Sequence, residues 1–174
     1  MSDKPARYTP SILVGVDGSP HSDDALRWAA MQAGRRGERI DVVASWHVPY
    51  GPIEGLAGGA TAVARNQFDF EASAKTALAE TLQRCAGSLD GIDVSTHVIQ
   101  GKPTDVLVDF ARQHNSVLMV VGTRGRGGFA GLMLGSTSRA TADRSPCPVA
   151  VVPPATRGDV ARDPSGGSNK WPKY

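Results

Sequence analysis

A chain of 174 residues, 40% hydrophobic and 21% charged, has the length and make-up of one soluble globular domain with a proper core. A net charge of +2 without any dense Lys/Arg run is too mild to indicate nucleic-acid binding. Cys85 and Cys147 make neither a disulfide framework nor a metal-ligand set, no apolar run reaches membrane-spanning length, and Met1 to Pro5 leads into no hydrophobic signal core. The expectation is a cytoplasmic protein with reduced thiols and no membrane partner.

Residues 1–10 are polar and proline-bearing, a frayed lead-in. Ser11-Ile12-Leu13-Val14-Gly15-Val16 is an apolar run of the buried-strand type. It ends at Asp17-Gly18-Ser19-Pro20, where Ser19 suits an N-cap and Pro20 a first helical residue. Leu26, Ala29, Ala30 and Ala33 then share one helical face, and Gly34 or Gly37 can end the helix. Ile40 to Val48 reads as the second strand, and Gly51 to Ala64 as a mobile Gly/Ala-rich loop. A helix is expected over about Asn66 to Gly87, with Phe70, Ala74, Ala77, Leu78, Leu82 and Cys85 inward; Cys85 is thus core rather than reactive. Ile92, Val94, Thr96 and Val98 alternate with polar residues, as in a strand near a sheet edge. Gly101-Lys102-Pro103 turns into a helix burying Val106, Leu107, Phe110 and Ala111. Val117 to Val121 is apolar on both faces and therefore central. A short helix over about Thr137 to Arg144 and a last strand, Val149 to Val152, complete the folded part, taken as residues 1–153. Residues 154–174 turn to Gly, Pro, Asp, Arg and Ser and read as a disordered tail.

Strands alternating with helices predict an α/β fold, an open five-stranded parallel sheet covered on both faces. Such sheets bind ligands at the carboxyl ends of their strands, at a switch point. Asp17 follows the first strand and Gly122 the fourth; if these strands are central neighbours, their loops face one crevice. After Gly122 the sequence is strand, glycine-rich loop, then Gly135-Ser136-Thr137-Ser138 opening a helix. That order presents free backbone N–H groups and the positive end of a helix dipole to an anion. Arg124 and Arg126 can add charge, although loop arginines are about as often merely solvated. Neither the dinucleotide fingerprint nor a Walker loop is present. His21 is read as a solvated helix-start residue, His47 as packed in its strand, and His97 and His114 as surface residues.

The spacing Gly122-x2-Gly125-x9-Gly135-Ser136 resembles the ATP-binding signature of the universal stress protein family. Ile12-Leu13-Val14-Gly15-Val16-Asp17-Gly18-Ser19, the run from Val121 to Gly131, and Ser145-Pro146-Cys147-Pro148-Val149 resemble the same family, so the likeness covers about residues 8 to 153. It implies a Rossmann-like sheet of strand order 3-2-1-4-5. It implies an ATP site in which Gly15 and Asp17 lie at the end of strand one, Asp17 holding the ribose or approaching the metal side of the triphosphate, with or without Mg²⁺. Val48 would contact adenine. Val121, Gly122, Thr123, Arg124 and Gly125 would run under ribose and phosphates, and Gly135, Ser136, Thr137 and Ser138 would form a second phosphate-binding turn. A homodimer through Val149 to Val152 is implied, in agreement with an unusually apolar sheet edge. The resulting expectation is a stress-response regulator whose nucleotide state is read by partners. Asp17 is the only carboxylate near the site and no base accompanies it, so slow or absent hydrolysis is expected. A dimeric interaction module without functional nucleotide, a cyclic-AMP-binding member and a slow ATPase remain as alternatives. Loop 51–64 and tail 155–174 match no part of the signature.

Overall fold

The computed structural model describes residues 10–48, 59–125 and 134–155. The elements are β1 (Ser11–Val16), α1 (Pro20–Arg36), β2 (Arg39–Trp46), α2 (Gly59–Leu89), β3 (Val94–Gln100), α3 (Pro103–Gln113), β4 (Leu118–Gly122), α4 (Ser136–Arg144) and β5 (Val149–Val152). All neighbouring strands are parallel and the sheet runs β3-β2-β1-β4-β5, so β1 and β4 are central and β3 and β5 are the edges. Leu13 stands in register with Asp41 on one side and Met119 on the other.

Period-two alternation divides the apolar residues between two cores. Ile12, Val14, Val16, Ile40, Val42, Ala44 and Val120 meet the apolar faces of α1 and α2 through Leu26, Ala29, Ala33, Leu78 and Cys85. Leu13, Val43, Met119 and Val121 face the other way, onto Val106, Leu107, Phe110 and Ala111 of α3, beside which α4 packs. The expected inner faces of α1 and α3 are therefore those observed. α1 closes at Gly37, whose φ of 67° is left-handed and suited to glycine. Burial pushes the Cys85 thiol up from its ordinary pKa, consistent with an inert core thiol.

Several expected boundaries move. β2 ends at Trp46, before Val48, and β4 begins at Leu118, leaving Val117 38% exposed. α2 begins at Gly59, so residues 59–64 of the expected loop are helical. Alanine is the best helix former, and Ala60, Ala62 and Ala64 outweigh the glycine before them. Phe70 is 39% exposed rather than inward; among the described side chains of α2 the buried ones begin at Ala77. Residues 51–58, Arg126 and the tail beyond 155 lie outside the described residues.

His97 and His114 are not plain surface residues. His97 packs on Phe110 with ring centroids 4.7 Å apart, and His114 stacks on the same ring at 3.9 Å. His97 Nε2 also lies 3.2 Å from Oδ1 of Asp41, a fully buried carboxylate. Arg39 Nη2 donates to both oxygens of Asp41, at 2.9 and 3.0 Å. Burial works against ionisation of Asp41, but hydrogen bonds from neighbours, Arg39 and His97 among them, hold its carboxyl below the ordinary value. This cluster joins β2, β3 and α3 and lies outside the crevice.

Candidate functional site

At the carboxyl ends of β1, β2 and β4 the sheet opens into a cavity of about 580 Å³. That volume falls within the range of small-molecule sites. One side comes from the end of β1 with Asp17, the loop after β4 and the start of α4, and the other from β2 and α3. Ten of the twelve residues expected at the site line it: Gly15, Asp17, Val121, Gly122, Arg124, Gly125, Gly135, Ser136, Thr137 and Ser138. Val48 and Thr123 do not. Val48 falls beyond the end of β2; Ser45 of β2 and His47 just after it line the cavity instead. His47 is exposed there, not packed in the strand as expected. Thr123 turns its backbone away: its N–H donates to Val152 O at 3.0 Å, and its carbonyl accepts from Gly135 N–H at 2.7 Å. It therefore joins β5 to the start of α4.

The glycines of the motif have intramolecular reasons. A methyl group on Gly122 would stand 2.6 Å from the carbonyl oxygen of His21, so this glycine lets α1 approach the end of β4. On Gly125 it would stand 2.5 Å from Oδ2 of Asp17. On Gly15 it would meet Leu107 of α3 at 2.8 Å. The spacing that resembles an ATP-binding signature thus records close approach of backbone to the rest of the fold.

The two helix starts beside the cavity differ. At α1 the Ser19 hydroxyl accepts from Ser22 N–H at 3.3 Å, Pro20 has no N–H, and Ser19 N–H donates to Asp17 Oδ1 at 3.0 Å. At α4 the N-cap is Gly135, and among the described residues no side chain caps the helix. The first-turn N–H groups and the positive dipole end of α4 thus lie at the cavity without a carboxylate or hydroxyl cap among the described residues. Ser136 is exposed at its rim. Ser138, 4% exposed, donates its hydroxyl proton to Gly122 O at 2.6 Å, so it holds α4 against β4. Arg124 is the one arginine and Asp17 the one carboxylate among the described lining residues.

The opposite side is apolar. Val43, Leu107, Pro103 and Val121 line it, with Ser45 and His47 as its polar groups. Only Val121 of these was singled out from the sequence as a site residue. A signal for the rest existed: Val43, Ser45 and His47 are spaced by two at the carboxyl end of a strand, and so share the sheet face that opens there. Pro103 and Leu107 carried none, because their place at the cavity depends on where α3 packs. A cavity with donors at one end and an apolar slot at the other can hold a ligand that is anionic at one end and flat and apolar at the other. Among the described residues no three His, Cys, Asp or Glu side chains converge on a metal position, and no helix is long and apolar enough to cross a membrane.

Comparison with known proteins bears on this arrangement. Residues 9–153 match the Universal stress protein family. A universal stress protein of Mycolicibacterium smegmatis is 35% identical over 143 residues, 82% of this chain and 45% of the relative. The chain thus spans about half the length of such curated relatives. Among solved structures, the universal stress protein UspA from Lactobacillus plantarum superposes with a TM-score of 0.69 at 25% identity, covering 84% of this chain and 99% of the other. The universal stress protein from Archaeoglobus fulgidus in complex with dAMP superposes with a TM-score of 0.55 at 25% identity, covering 82% and 95%.

Proposed function

The chain belongs to the universal stress protein family, and from that premise we propose that it binds ATP in the cavity between β1, β4 and α4. The observation that carries this reading is the uncapped start of α4, facing the cavity beside a loop shaped by Gly122 and Gly125. Backbone N–H groups there bind phosphate oxygens without an intervening side chain, and the helix dipole favours their charge. Ser136 adds a hydroxyl and Arg124 a positive charge. The ribose lies toward Asp17. The base enters the apolar slot of Val43, Leu107 and Val121, a revision of the expected contact with Val48. The dAMP complex of the Archaeoglobus fulgidus relative supports an adenine ligand. Any Mg²⁺ arrives with the triphosphate, on the side of Asp17.

The protein acts in this reading as a homodimer through the outer edge of β5, with a nucleotide state that partners read and with slow or no hydrolysis. The half-buried apolar residues Val149, Ala150 and Val151 support the interface, as that edge of the sheet has no strand beside it within the described chain. A cyclic-AMP-binding member is the second reading, because the same slot accepts adenine whatever follows the ribose.

Mass spectrometry of ligand released from the purified, denatured protein, followed by titration calorimetry with ATP and cyclic AMP, tests the proposal. ATP should bind the more tightly, and Ser136→Asp, which sets a carboxylate where the phosphates would lie, should abolish that preference. Equal affinity of the variant for ATP would place the phosphates elsewhere. Gly122→Glu is a poor probe, since its first effect falls on the packing of His21.

A further inference from the structure

Arg84 lies on α2, outside the cavity, yet it reaches the loop that carries Asp17. Its Nε donates to Asp23 Oδ2 at 2.6 Å and its Nη2 to Asp23 Oδ1 at 3.0 Å. The two Nη2 protons are shared among Asp23 Oδ1, Thr81 Oγ1 at 3.1 Å and the carbonyl oxygen of Gly18 at 3.4 Å. The Asp23 side chain is only 6% exposed, in the first turn of α1. Its hydrogen bonds keep the Arg84 guanidinium pKa above the ordinary value. Cys85, the next residue, points its thiol at Asp23 O from 3.6 Å. α2 is thus tied to the start of α1 by two successive side chains.

The peptide that Arg84 reaches has a special shape. Gly18 has a φ of 79° and stands between Asp17 on the cavity wall and the N-cap Ser19. Turning there lets Asp17 Oδ1 accept from Ser19 N–H while its Oδ2 lies against Gly125. Resting on the nucleotide reading above, we propose that Arg84 is a positioning residue of that site: it fixes the Gly18 peptide and, through it, the Asp17 carboxylate. Only a planar guanidinium spans both oxygens of Asp23 and the Gly18 carbonyl at once; an ammonium group pairs with Asp23 but lets the loop go.

Arg84→Lys and Arg84→Met, alone and with Asp17→Asn, provide the test. ATP affinity is read by calorimetry, and hydrogen exchange of the Ser19 amide is read by NMR in the nucleotide-free protein. Arg84→Lys should keep the melting temperature nearly unchanged, weaken ATP about fivefold and speed Ser19 exchange about fivefold. In the Asp17→Asn background neither substitution should weaken ATP further. A loss that multiplies with that of Asp17→Asn, or a Ser19 amide that exchanges at the wild-type rate in Arg84→Lys, overturns the proposal. Should the wild-type protein bind no adenine nucleotide, the nucleotide reading fails, and the Ser19 amide still decides whether Arg84 sets the loop.

Discussion

Two helices begin at the mouth of one cavity, and their first turns are built in opposite ways. α1 is closed by its own chain: Ser19 caps it, Pro20 removes a donor, and Asp17 takes the Ser19 N–H. α4 has glycine at its cap and, among the described residues, no side-chain cap. The same backbone groups are used for stability at one start and, in the proposed reading, are left for a ligand at the other. The proposed ligand site rests on that missing side-chain cap, at a helix whose neighbour shows that the fold can supply one.

The largest effect should come from giving α4 the cap it lacks. Gly135 has φ −69° and ψ 158°, angles any residue adopts, and a Cβ there would meet Thr123 O at 3.3 Å. Gly135→Asp should raise the ATP dissociation constant by at least about 100-fold, through lost donors and charge repulsion, and leave the fold as stable or slightly more so. Calorimetry and a melting curve on the same sample check both halves. Retained affinity would break the comparison. Next, Gly122→Ala should cost about 2 kcal/mol in urea denaturation, as its methyl presses on the His21 carbonyl and separates α1 from β4. A loss of ATP binding at unchanged stability would show instead that this glycine serves the ligand alone.

Asp41 sharpens the comparison by being remote from both starts. Asp41→Asn should cost about 1.5 kcal/mol at neutral pH, less than a fully buried pair, because Arg39 is a third exposed and can turn to water. The sign with pH follows from the lowered pKa of Asp41. Its contribution is complete above the unfolded-state value, about 3.9, and is lost as pH falls through the lower folded-state value. Wild type should therefore lose its advantage over Asp41→Asn in acid, with ATP affinity at neutral pH the same in both. Denaturant melts at several pH values would reveal a gap that stays constant, the contrary outcome. The smallest effect belongs to Ser19→Ala, about 1 kcal/mol of stability with ATP affinity changed less than about twofold, since the Ser19 donor to the Asp17 carboxylate is its backbone N–H, which the substitution keeps.

Much of this molecule was legible in its residues. The apolar runs of β1, β4 and β5, the Ser19-Pro20 start, and the inner faces of α1 and α3 are local patterns, and a local pattern survives any tertiary arrangement that keeps its element. The end of β4 at Gly122 and the helix start at Ser136 were legible for the same reason. What failed was local evidence pointing two ways. Gly and Ala before α2 read as a loop and fold from Gly59 as helix. Phe70 follows the helical period but lies ahead of the stretch of α2 that meets the sheet. His97 and His114 looked solvated because their partners, Phe110 and Asp41, are distant in sequence.

The sequence by itself determined the alternation of elements, the parallel sheet that follows from it, and the glycine spacing that marks the cavity and the family. Periodicity and motif spacing are properties of the chain taken a few residues at a time. Only the tertiary structure decided that Gly122 answers to His21, that Gly125 answers to Asp17, that His47 rather than Val48 lines the slot, and that Arg84 reaches the Asp17 loop. Those are contacts between segments tens of residues apart. They depend on where a sheet stacks its helices, which no single segment encodes.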